Sequence, residues 1–113
     1  MKLSVLTEDY RNNLEFLGYE GYTLDRLYYE VLFFDMWLEH NLGDRETYTT
    51  DVRPELVAGY TSTMNFEFGY GLEHQKRLGA SLKNFLVYLD SRGKLQYSLD
   101  SFKSLAALLD RTL

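Results

Sequence analysis

Apolar residues recur at three- and four-residue intervals along most of the chain, which is the spacing of amphipathic helices. In the first segment Leu3, Leu6, Tyr10, Leu14 and Leu17 form one stripe, closed by Gly18 and Gly21. A second helix is expected to open at Thr23 as its N-cap and to run to about Asn41, before Gly43. Its inner stripe is Leu24, Leu27, Val31, Phe34 and Leu38, and a further apolar set, Tyr29, Phe33 and Met36, falls on another side. A helix apolar over most of its circumference is either central in a bundle or presents a partner surface, and the central position is the preferred reading.

A third helix should begin near Pro54, a residue that suits the first helical turn, with Glu55 at the positive end of the dipole. Val57, Tyr60, Met64 and Phe68 keep helical spacing, although Met64, Phe66, Phe68 and Tyr70 also alternate as a strand would. Helix is preferred over residues 61–70, since one short strand has no mate elsewhere. The clearest amphipathic helix is Leu72 to Ser91, with Leu78, Leu82, Phe85 and Leu89 inward and Gly93 as its C-cap residue. Ser98 then caps a short last helix carrying Leu99, Phe102, Leu105, Leu109 and Leu113. There is one proline, no repeat and no low-complexity linker, so residues 1–113 read as a single all-α domain, a compact bundle of four to five helices.

Composition narrows the function classes. The chain has no Cys, so disulfides and thiolate metal sites are excluded. No apolar run approaches bilayer length and MKLSVLTEDYRNN turns acidic early, so neither a membrane span nor a signal peptide is expected. A soluble, cytoplasmic protein is the expectation. The net charge is −5 and unevenly placed. Residues 1–50 hold four bases against ten acids, whereas residues 73–94 hold five bases against two acids. Lys76 and Lys83, seven apart, should project together, with Arg77 and Asn84 in the adjacent row. Such a face is either the solvated side of a helix or a phosphate contact, and a pI near 4.9 opposes tight nonspecific DNA binding.

The order of these motifs resembles the SAM-like core-binding domain of tyrosine recombinases and phage integrases. LEFLGYEGYTLDRLYYEVLFFDMWLEHNLG is similar to the family's first helix hairpin, with Gly21 and Thr23 at the turn and Phe34, Trp37 and Leu38 in the apolar places. RPELVAGY resembles its third helix, with Pro54 and Tyr60 in register. LGASLKNFLVYLDSRGKL resembles its fourth, through Leu82, Lys83, Asn84, Phe85, Tyr88, Leu89 and Gly93. The resemblance covers about residues 10–95 and implies a SAM-like bundle that contacts DNA through basic helices, a role that here reaches Lys76, Arg77 and Lys83. It departs from the family at Arg26, where a Thr is usual, and at YSLDSF, which stands where a linker to a catalytic domain is expected.

No catalytic constellation emerges. His40 and His74 each follow a Glu, but neither pair has zinc-site spacing, and Ser81 and Ser101 lack a nucleophile elbow. No metal, no cofactor and no enzymatic activity are expected. Tyr10, Tyr28 and Tyr60 sit at core spacing, with hydroxyls expected to reach the surface. Two readings remain. The first is a protein-interaction module that self-associates or engages a basic protein through Tyr29, Phe33 and Met36, flanked by Glu30 and Asp35. The second is a weak DNA-binding accessory domain using Lys76, Arg77, Lys83 and Arg92. The charge total tilts toward the first.

Overall fold

The structure, a computed structural model, describes residues 1–63 and 71–95. Among the described residues four α-helices run in order: α1 (Leu3–Phe16), α2 (Gly21–Asn41), α3 (Pro54–Ser62) and α4 (Leu72–Ser91), with one 3-10 turn at Thr49–Asp51 between α2 and α3. The described residues form no strand, only an isolated bridge between Lys2 and Tyr48. They make a small all-α bundle. The helix-or-strand question at 64–70 and the last helix from Ser98 lie outside the described residues.

The periodic stripes become the core. Leu3, Leu6, Tyr10 and Leu14 of α1 meet Leu24, Leu27, Val31, Phe34 and Leu38 of α2, and Leu82, Phe85, Leu86 and Leu89 of α4 fill the same cluster. α2 packs against α1, α3 and α4 and is the central element. Where it crosses α3, the Trp37 ring lies so close to Gly59 that an added Cβ would sit 3.3 Å from it. Tyr60 sets its ring edge-on to both Phe34, at 5.1 Å, and Trp37, at 5.6 Å.

Two helix ends show why the punctuation was readable. Gly18 (φ +101°) and Gly93 (φ +67°) occupy the left-handed region that side chains avoid. After α4, Gly93 N–H donates to the Asp90 carbonyl and Lys94 N–H to that of Leu89, a Schellman closure. α1 ends with the same pair of bonds, from Gly18 to Glu15 and from Tyr19 to Leu14. Two boundary expectations need correction. α2 starts at Gly21 with Glu20 as its cap residue, so Thr23 is already helical. Leu17, counted in the inner stripe, lies past the last turn of α1 and is exposed.

One hydroxyl departs from expectation: that of Tyr60 is enclosed instead of reaching the surface. The Tyr10 ring is buried beside Phe85 and Tyr88, ring centroids 5.2 and 5.3 Å away. Burial, reinforced by Tyr19 and Glu30, pushes its phenol up to about 12. An unfolded Tyr ionises near 10, so the native state holds this proton more tightly. The stabilisation is therefore complete below about pH 10 and lost as pH rises toward 12. In an ultraviolet titration of the ten tyrosines, one phenol should ionise last, and Tyr10→Phe should remove that step and flatten the alkaline loss of stability.

Candidate interaction site

The second apolar set on α2 is at the surface. Tyr22, Tyr29 and Met36 are seven residues apart and Phe33 lies between the last two, so all four project from one side, opposite the buried stripe. Their exposures are 78% for Tyr22, 56% for Tyr29 and Phe33, and 63% for Met36. The band runs about 21 Å along the helix. α2 is thus central and surface-presenting at once: among the described elements α1, α3 and α4 pack against it, and these four side chains stay exposed.

Alongside this band, α2 and α4 diverge to leave a cleft of about 420 Å³. Tyr22, Tyr29 and Phe33 form its α2 wall, and His74, Arg77 and Leu78 form its α4 wall. Between them lies a polar chain. Arg26 Nη1 donates to Glu30 Oε1 at 2.7 Å, and Ser81 Oγ donates to Glu30 Oε2 at 2.8 Å. Glu30 is therefore held from both sides and is only 10% exposed at its side chain. Asp35 accepts a hydrogen bond from Thr47 Oγ1. Both acids expected to flank the aromatic band and attract a basic partner are instead committed to contacts within the chain. Asp25, also at the cleft, faces Arg11 at 3.6 Å.

The basic residues divide. Lys76 and Arg77 are exposed side by side on α4, and Arg77 borders the cleft. Lys83 is half-buried, and Arg92 lies over the Tyr88 ring at 5.8 Å, about 22 Å along the axis from Arg77. The structure thus brings Arg77 to Tyr29 and Phe33, leaves Met36 beyond the cleft, and sets Arg92 past the far end of α4 from Lys76 and Arg77. Sequence reasoning missed Tyr22 and the Arg26–Glu30–Ser81 chain. The available signals were the seven-residue step from Tyr22 to Tyr29 and a serine interrupting the apolar run Leu78 to Leu82.

The histidines are separate, with His40 Nδ1 3.5 Å from Asp44 and His74 at the cleft. Among the described residues no three His, Asp or Glu side chains are grouped to hold a metal, and no helix is long and apolar enough to cross a membrane. Compared with known proteins, the chain matches no family model, no curated protein and no solved structure.

Proposed function

We propose that this chain is a non-catalytic helical interaction module that self-associates through the exposed aromatic side of α2. The observation that carries the reading is the line of Tyr22, Tyr29, Phe33 and Met36, four large apolar side chains left in solvent beside a cleft. Each square ångström of apolar surface covered is worth roughly 25 cal/mol, and a continuous apolar band on a small domain is the usual mark of a partner face. The core-binding arrangement suggested by the turn at Gly21 and Thr23 and by residues 78–95 stays part of the proposal as the scaffold's ancestry.

Light scattering tests it. The wild type should show a dimer mass at micromolar concentration and moderate salt, and Phe33→Asp should give a monomer with an unchanged circular dichroism spectrum. A wild type that stays monomeric up to high concentration would refute self-association. A second reading, weak DNA contact, draws on the adjacent exposed Lys76 and Arg77. It requires a duplex shift that weakens steeply with salt and disappears in Lys76→Glu/Arg77→Glu.

A further inference from the structure

We propose that the occupant of the α2–α4 cleft is the α1–α2 turn of a second copy, exchanged reciprocally about a two-fold axis, with Glu20 of each copy paired to Arg77 of the other. The inference rests on the self-association reading and adds what fills the cleft. The cleft asks for an apolar group accompanied by a negative charge. Its walls are aromatic, its acids are committed to Arg26, Ser81 and Arg11, and Arg77 has no ion-pair partner among the described residues.

The turn offers that combination. Phe16 is 88% exposed and Leu17 62%, the two sitting at the C-terminal end of α1 between Glu15 and Glu20. Glu15 is bound to Arg11 at 2.6 Å, whereas Glu20 is exposed with no ion-pair partner among the described residues. One chain therefore carries an exposed apolar knob beside an uncommitted carboxylate and an aromatic cleft beside an uncommitted guanidinium. The turn leads directly into Tyr22, which lines the cleft, so donor and receptor are adjacent. Adjacent complementary features can satisfy each other twice across a two-fold axis, which closes the assembly at two copies. Enclosure between aromatic walls would shield the Glu20–Arg77 pair from solvent and strengthen it relative to an exposed pair.

Charge exchange is the test, read as the dimer dissociation constant by sedimentation or light scattering. Arg77→Glu sets carboxylate against carboxylate and should weaken the dimer at least about tenfold, and Glu20→Arg should do the same. Combining Glu20→Arg with Arg77→Glu should return the constant to within about threefold of wild type. Lys76→Glu, next to Arg77 but outside the cleft, should change it less than about threefold. Phe16→Asp should dissociate it, and circular dichroism confirms that each variant is folded. No rescue in the double variant overturns the pairing. A dimer lost in Phe33→Asp yet indifferent to Phe16→Asp and Arg77→Glu overturns this occupant while leaving the α2 interface standing. Open-ended oligomers in place of a closed dimer overturn the reciprocal exchange. A monomeric wild type overturns both readings, and displacement of the dimer by a short duplex at low salt would assign the cleft to nucleic acid instead.

Discussion

Replacing Phe85 with alanine is expected to remove about 4 kcal/mol of folding stability and to lower the melting temperature by roughly 15 °C. The side chain is fully buried at the junction of α1 and α4. It meets the Tyr10 ring edge-on at 5.2 Å and stacks on Tyr88 at 6.5 Å. Truncation removes the transfer gain of a buried aromatic ring, strips Tyr10 of the neighbour that excludes water, and leaves a cavity that helical backbones close poorly. Thermal unfolding followed by circular dichroism checks it, with Phe33→Asp alongside as the surface comparison. Measured below the dimer dissociation constant, where association adds nothing to the wild type, that second change should stay within about 0.5 kcal/mol, because an exposed position gives up little burial. A loss of less than about 1.5 kcal/mol for Phe85→Ala would mean that α1 and α4 collapse onto each other when the ring is gone.

How much of this core was legible follows from how each part is encoded. Leu78, Leu82, Phe85 and Leu89 recur at the helical period, and Gly93 follows at the position where only a left-handed residue closes the last turn, so both the span and the inner side of α4 could be read locally. The start of α2 was misplaced because Thr23 is a strong cap type, while the chain leaves the Schellman turn at Gly18 already directed into a helix by Gly21. Leu17 matched the stripe by spacing alone. Spacing continues past a helix end, but the helix does not, and the side chain beyond Phe16 loses its register.

The candidate site was half legible for a different reason. Tyr29, Phe33 and Met36 stood out as a second stripe, yet periodicity cannot say which side of a helix its neighbours cover. The commitment of Glu30 to Ser81, 51 positions away, has no period to reveal it. That single contact changes the electrostatic character of the face, since an acid expected to draw a basic partner is turned inward and Arg77 becomes the charge on offer. Sequence reading found the apolar content of the surface but not the contacts that Glu30 and Asp35 make within the chain.

The same limit hides the element that holds the amino terminus, and breaking it is the second large effect expected. Arg45 donates to the Asp51 carboxylate through both terminal nitrogens, at 2.7 and 2.9 Å, and the Tyr48 backbone N–H adds a third bond at 2.8 Å. The turn fixed this way offers its backbone to the start of the chain. Leu3 N–H donates to the Thr47 carbonyl, and Thr49 N–H donates to that of Met1, both at 3.0 Å. Asp51→Ala should therefore cost about 2–3 kcal/mol, because the charged bonds are lost together and the Tyr48 N–H is left without its acceptor. Hydrogen exchange at the Leu3 and Thr49 amides should accelerate more than at the α4 amides. The paired guanidinium, the Tyr48 N–H and the charge of Arg53 hold the Asp51 carboxyl below the usual carboxylate range, against the opposing effect of burial. A carboxyl depressed in the folded state contributes fully above its unfolded value near 4 and loses that contribution as pH falls through the lower folded value. The stability difference between wild type and Asp51→Asn should accordingly be constant from pH 7 to about 5 and shrink below about 4. A difference that persists unchanged to pH 2 would show that shape, not charge, holds this turn.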